Sequence, residues 1–282
     1  MVTRAGGTLF VVATPIGNLG DITLRAVDTL RGAARIVAED TRRTRALLSH
    51  LGISGKPVDR LDAHASDADI DRVLARLTDD GEDIALVSDA GTPVVSDPGT
   101  ALIRKAALAG VSVVPIPGAS AVMAVVSASG LVTGGFVFLG FLPRAGDERR
   151  EAIARVRRAE EAVVLFEAPF RMAALLDDLA EAMPDREAVV GRELTKVYEE
   201  FLRGTLRELS ETEKGREWIG ELSIVLGPWE ARASEEAPAD LDARIDEELA
   251  KGRRPKEIAE AMAMATGRPR REIYARVLAR RG

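Results

Sequence analysis

What narrows the fold most is an alternation in the first half of the chain. Short apolar runs end in Gly/Pro-rich loops, and each is followed by a stretch with helical periodicity. TLFVVA (8–13), RIVAE (35–39), DIALVS (83–88) and VSVVPIP (111–117) are the runs. LRAVDTLRGA, TRRTRALLSHLG, DADIDRVLARLTDDG and GTALIRKAALAG lie between them, the second ending at Gly52 as a helix C-cap does. This βαβα order predicts a mainly parallel sheet covered on both faces. The pattern changes near Ile116–Gly118. FVFLGFLP (136–143), EAVVLFEAP (161–169), EAVVGREL (187–194), EEFLRGTL (199–206) and GELSIVLGP (220–228) read as strands with fewer helices between them, a mixed α/β layer. The expected organisation is an N-terminal α/β domain over 1–117, a second over 118–230, and an acidic linker with a basic helical tail over 231–282.

Composition removes several chemistries. The 282 residues suffice for two sizeable cores, and 46% hydrophobic with 30% charged residues is the profile of a soluble globular protein. There is no cysteine, so disulfides, thiolate catalysis and Cys-bound zinc are excluded. Two histidines, His50 and His64, argue against a His-based metal site and against a Ser-His-Asp triad; no metal is expected. The apolar run Leu9–Ala13 is too short for a signal-peptide core or a membrane span, so a cytoplasmic protein is expected, with no membrane partner.

Charge is unevenly distributed. Residues 251–282 hold ten Lys/Arg and three Glu, a net +7, which leaves −13 for the rest of a chain whose net charge is −6. The stretch from Glu230 to Asp242, with Pro238, reads as an acidic linker. Beyond it, Ile258, Met262 and Ala265 share a helical face, Gly267 and Pro269 interrupt it, and Ile273, Tyr274, Val277 and Leu278 form the next. That pattern suggests a small helix-turn-helix whose arginines meet phosphates. A solvated helical face is an equally good account of the charge alone. With aromatics at 4%, base stacking looks like a minor resource.

The usual nucleotide signatures are missing. Gly17-Asn18-Leu19-Gly20 is not G-x-G-x-x-G, no G-x-x-x-x-G-K-[ST] occurs, and Gly118-Ala119-Ser120-Ala121-Val122 lacks the last glycine of a nucleophile elbow. What remains is four breaker-rich loops at carboxyl ends of predicted strands: ATPIGNLGD (13–21), AEDTRRT (38–44), SDAGTPVVSDPG (88–99) and PGASA (117–121). Ligands bind along that edge of an open α/β sheet. Gly and Pro let main-chain groups approach a ligand, and the scarcity of cations favours a neutral or cationic one.

Seven stretches in order, VVATPIGNLGDITLRA, AEDTRRTRALL, LVSDAGTPVVSDPG, PIPGASA, FLGFLPR, LFEAPFR and GRELTKVYEE, resemble the RsmI-type small-subunit rRNA (cytidine-2'-O-)-methyltransferases of the tetrapyrrole methylase (class III) superfamily. The likeness spans about Leu9 to Pro228. It implies S-adenosylmethionine as methyl donor, held between two α/β domains, 16S rRNA of the small ribosomal subunit as substrate, and a homodimer. By position it places Thr14 and Pro15 beside the donor, Asp89, Gly91, Thr92, Pro93, Val95 and Ser96 around the methionine and sulfonium, and Ser120 and Ala121 above it. Glu167, Ala168, Leu194, Leu226 and Gly227 would supply the adenosine side from the second domain. There are departures: Phe170 stands where the family has histidine in Phe-Glu-Ala-Pro-His-Arg, and of a His-Asn-Glu only His64 survives.

Methyl transfer to a ribose hydroxyl needs in-line geometry, worth up to about 7–11 kcal/mol in well-oriented systems. A general base could add ~10²–10⁴-fold. Asp40, Asp89 and Glu167 are candidates for that base, Arg42 for facing the ribose-phosphate, and Lys196 for stabilising the developing alkoxide. A helix N-cap is an equally good reading of Asp40. Alternatives are a superfamily methylase acting on a tetrapyrrole, a diphthamide-type or other small substrate, and a ligand-sensing DNA-binding regulator.

Overall fold

The computed structural model describes residues 6–94, 99–229, 238–266 and 270–281. The first half forms a five-stranded sheet of β1 (Thr8–Val12), β2 (Arg35–Ala38), β3 (Val58–Arg60), β4 (Ile84–Val87) and β5 (Ser112–Ile116). The order is β3-β2-β4-β1-β5 and every pairing is parallel. Its crossover helices are α1 (Leu24–Gly32), α2 (Thr41–His50), α3 (Asp67–Thr78) and α4 (Thr100–Leu108). Alternation along the strands explains the two-sided cover. Val12, Ile36, Ala85 and Val87 pack with Leu30 of α1 and Leu48 of α2, whereas Leu9, Val37, Ile84 and Leu86 pack with Leu77 of α3 and Leu102 of α4. A strand buried on both faces reads as a continuous apolar run. The exception is β3, which the sequence reading lacks: a three-residue edge strand, Val-Asp-Arg, whose Asp59 lies 3.1 Å from Arg35.

The second sheet contains β6 (Phe136–Phe141), β7 (Ala162–Glu167), β8 (Glu187–Arg192), β9 (Glu200–Thr205) and β10 (Leu222–Leu226), in the order β6-β7-β10-β8-β9. Only β6 and β7 run parallel; β10 is antiparallel to both its neighbours, with Leu222 opposite Glu167 and Leu226 opposite Val163. One face is covered by α6 (Gly146–Arg158), α7 (Pro169–Ala182) and α8 (Leu206–Thr212) around Leu175, Leu179 and Leu209. On the other face α5 (Ala121–Ser129) lays Val122 and Val125 against Val164 and Val225, and Ile16 from the first half joins that cluster. Arg186 is buried without a carboxylate; its guanidinium donates to the carbonyls of Gly227, Val156 and Glu161 at 2.8–3.0 Å. Burial pushes it down to about 10, still charged at neutral pH.

The tail is a three-helix bundle of α9 (Pro238–Ala250), α10 (Pro255–Thr266) and α11 (Arg270–Arg281), with its own core of Leu241, Ile245, Ile258, Met262, Ile273 and Val277. This corrects two expectations. The acidic segment is not a linker through Asp242, because a helix starts at Pro238 and its Leu241 and Ile245 are fully buried. Leu278 does not join the core and is 46% exposed. Gly267, Pro269 and the side chain of Ala265 lie outside the described residues. Acids of α9 also take up part of the tail's positive charge: Arg276 meets Asp242 at 2.6 Å, and Arg280 pairs with Asp242 and Asp246. No described helix is long and apolar enough to cross a membrane.

Candidate functional site

Chain ends and turns meet where the carboxyl edge of the first sheet faces the second. The first loop after β1 is stapled to the loop after β4. Thr14 N donates to Gly91 O at 2.9 Å, Gly91 N donates back to Thr14 O at 3.0 Å, and the Thr14 hydroxyl donates to Ser88 O. Gly91 holds a φ of 81°, and a Cβ there would sit 3.1 Å from Ile16. Three residues on, Val94 has a φ of 76°, a strained value for a β-branched residue. The Thr92 hydroxyl donates to Ala119 O, tying this loop to the one after β5. Ser120 caps α5, accepting from Met123 N.

The second half answers with a strained loop. Glu193 and Thr195 have φ values of 52° and 67°. Thr195 Oγ1 accepts from Asn18 N at 3.1 Å, and a Cβ on Gly17 would meet Lys196 Cγ at 2.5 Å and Leu194 O at 3.1 Å. Only a glycine lets the two halves close this seam. Lys196 Nζ lies 2.7 Å from Glu193 and 3.1 Å from Glu221. Burial alone would lower its pKa, but the bonds to both carboxylates outweigh that and raise it.

Between the halves is a cleft of about 380 Å³. The first half contributes Ile16, Ala90, Gly91 and Thr92; α5 contributes Ser120, Ala121 and Val122. The second contributes Phe141, Phe166, Glu167 and Ala168, with Gly220, Glu221, Leu222 and Ser223 from the start of β10. Glu167 is 2% exposed. Its Oε1 accepts from Ala168 N at 2.8 Å and lies 3.2 Å from Arg171 Nε, while Oε2 has no hydrogen-bond partner among the described residues. The walls are largely apolar, the polar groups are hydroxyls, main-chain atoms and two carboxylates, and no Lys or Arg lines it. Such a pocket suits a drug-sized ligand with an apolar body and a positive charge.

Six of the residues singled out from sequence meet here: Gly91, Thr92, Ser120, Ala121, Glu167 and Ala168. Thr14, Pro15 and Asp89 lie behind the staple, in a separate depression of about 280 Å³ with Arg43 and Leu47. Pro93 follows Thr92 in the loop and does not line the cleft; Val95 and Ser96 lie outside the described residues. Leu194 is buried against α5 rather than lining the cleft. Leu226 and Gly227 need correcting. They end β10 at the far side of the sheet, Leu226 wholly buried and Gly227 held by Glu187 O and Arg186. Because β10 runs antiparallel to β7, it is the start of the strand, Gly220–Ser223, that reaches the cleft. Glu221 and Ser223 were missed for that reason; no local sequence signal reports strand direction.

Asp40 and Arg42 line another depression with Arg60 and His64, on the opposite side of Asp89. Asp40 caps α2: it accepts from Arg42 N at 2.8 Å and is gripped by the Arg42 side chain at 2.9 Å. Those bonds hold its carboxyl at about 2, far from what a base at neutral pH requires. Its own N–H donates to Asp89 Oδ1 at 2.9 Å. Lys196, engaged by two glutamates, does not line the cleft. Among the described residues no group of three His, Asp or Glu is placed to hold a metal ion.

Comparison with known proteins agrees with this architecture. Residues 8–210 match the family model of the Tetrapyrrole (Corrin/Porphyrin) Methylases. A ribosomal RNA small subunit methyltransferase I from Halalkalibacterium halodurans is 41% identical, covering 95% of this chain and 93% of its own length. One from Neisseria meningitidis serogroup B is 43% identical, covering 95% and 92%. Among solved structures, a diphthine synthase superposes with a TM-score of 0.59 at 20% identity, over 78% of this chain and 90% of that one. A uroporphyrin-III C-methyl transferase from Thermus thermophilus complexed with S-adenyl homocysteine gives 0.54 at 18%, over 78% and 97%. At those identities the two structures speak for the fold alone.

Proposed function

The chain belongs to the tetrapyrrole methylase family, in the company of the ribosomal RNA small subunit methyltransferases I, and from that premise we propose that it transfers a methyl group from S-adenosylmethionine to 16S rRNA, at the 2'-hydroxyl of a cytidine ribose in the small ribosomal subunit. The observation that carries this reading is the cation-free cleft between two halves of a chain about 40% identical to such enzymes over nearly its whole length. The residues fit the donor. Glu167 and Glu221 face a sulfonium or ammonium, Ile16, Val122 and Phe166 offer apolar walls for an adenine, and Gly91 lets the main chain come close. The donor supplies an electrophilic methyl, and its thioether leaves without a proton. The protein's task is positioning, with 1–117 and 118–230 as the two domains that hold donor and ribose in line.

Among the carboxylates singled out, Glu167 is the one in the cleft and remains the candidate for taking the hydroxyl proton. Asp40 and Arg42 act as a rigid pair on the substrate side rather than as base and partner. Lys196 contributes by holding Glu221. Arg254, Lys256 and Arg271 of the tail form no ion pair among the described residues and are exposed, so they are free to meet phosphates. We further read the protein as a cytoplasmic homodimer. The test is incubation of purified protein with labelled S-adenosylmethionine and small ribosomal subunits, with mapping of the modified ribose. Calorimetry that detects no donor binding, or subunits that stay unlabelled, would overturn the proposal.

A further inference from the structure

Eleven aromatic residues are scattered along the sequence. In the fold eight of them are buried or half-buried, and three are exposed: Phe141 at 56%, Phe170 at 84% and Tyr198 at 73%. All three stand on one edge. Phe141 ends β6, Phe170 begins α7 just after β7, and Tyr198 lies in the turn between β8 and β9. The strand order brings those positions to the end of the second sheet where β10 begins, which is the mouth of the cleft. Ile219 and Val197, 60% and 93% exposed, lie between and beside them. Leaving this much apolar surface in water is unusual for a monomer and marks a contact surface.

The edge is built rather than loose. Phe138, Phe166 and Phe141 form an edge-to-face series with centroid spacings of 4.9 and 5.8 Å, running from inside the sheet to the rim. Phe170 follows the Ala168-Pro169 start of α7, where proline at the first helical position fixes the turn. Glu193 and Glu221 are engaged by Lys196, and Glu200 by Arg192 and Arg216, so the acids of this edge are largely neutralised. Arg144, three residues past Phe141, is exposed and forms no ion pair among the described residues.

We propose that Phe141, Phe170 and Tyr198 form a stacking platform for unpaired bases of the RNA substrate, with Arg144 beside them for a phosphate. Aromatic faces grip any base, and a ribose 2'-hydroxyl can reach a cleft only from a strand splayed out of its helix. The inference rests on the RNA-methylation reading above and adds where the strand lies.

The test measures binding of a fluorescein-labelled 12-nucleotide single-stranded RNA by anisotropy, with steady-state methyl transfer to small ribosomal subunits. Phe170→Ala and Tyr198→Ala should each weaken RNA binding about five- to hundredfold, the range for losing one stacked base. KM for subunits should rise in proportion, with kcat and donor affinity unchanged. Phe170→Trp should keep wild-type affinity, and Phe170→Leu should behave like alanine. Wild-type RNA affinity in the alanine variants, or full rescue by leucine, overturns the platform. So does a fall from dimer to monomer in sedimentation, which would make the patch an interface between copies. If wild-type protein itself leaves subunits unmethylated, the underlying reading fails instead.

Discussion

The two sheets meet the same cleft by different rules. In the first, every strand is parallel, and what faces the ligand is always the loop after a strand: after β1, β4 and β5. In the second, β7 offers its end and β10 its beginning, because they run in opposite directions. A reader of sequence who knows only that ligands gather beyond carboxyl ends will place the first sheet's site correctly. The same rule puts the second sheet's last strand backwards, and Leu226–Gly227 are the result. Direction in a mixed sheet is set by long-range pairing, which leaves no mark on a five-residue apolar run.

The sharpest way to break that contrast is Leu226→Ala. If the end of β10 is pure core, the variant loses about 2–5 kcal/mol of stability in denaturant melts, while the folded fraction binds S-adenosylmethionine with unchanged affinity. A weakened donor affinity would return Leu226 to the site. Next in size is Gly17→Val, which wedges the seam between the halves. Overpacking of this kind costs about 1–3 kcal/mol, and calorimetry should show it mainly as donor binding weaker by ~5- to 150-fold. Removal of everything from Pro238 onward leaves both sheets and their cores complete, so donor affinity should hold. The salt slope of RNA binding should become shallower, by at most about three for the three unpaired cations at ~0.9 per phosphate; an unchanged slope would dismiss the tail.

The smallest effect is expected from Asp40→Asn. Asparagine caps a helix nearly as well, so stability near neutral pH should move by a few tenths of a kcal/mol, about the resolution of a melt. The sign with pH follows from a folded-state pKa of about 2, below the ordinary value of about 3.9. What the carboxylate adds is in place above roughly pH 4 and is lost as pH falls through 2. Between pH 5 and 8 the two proteins should have the same activity profile, and a shifted limb there would restore Asp40 as a base.

Legibility in the sequence follows physical range. Strands β1, β2, β4 and β5 were readable because burial on both faces makes them continuous apolar runs, and α2 and α4 because periodicity and a terminal glycine mark them. The edge strand β3 escaped notice since its three residues depend on pairing with β2 rather than on their own composition. In the site, Gly91, Thr92, Ser120 and Ala121 were found through turn chemistry, a local property. Glu221, Ser223 and the aromatic rim were not, because nothing local distinguishes an exposed phenylalanine from a core one. Counting aromatics suggested that stacking was a minor resource, and only their placement shows three gathered at one mouth. The tail's helices were anticipated, but α9 was taken for a linker since its acids hide two core residues, Leu241 and Ile245.

The position of β10 also bears on how the molecule is made. Every strand of the first sheet has been synthesised once Ile116 is added, so that half can fold as it emerges from the ribosome. The second sheet has no such opportunity: its middle strand is its last, and β7 and β8 keep facing edges unpaired until Leu226 is added, 59 residues after β7 is complete. At roughly 5–20 residues per second, translation leaves those edges open for some seconds in every nascent chain, an interval in which chaperone capture or strand exchange with a neighbouring copy competes with closure.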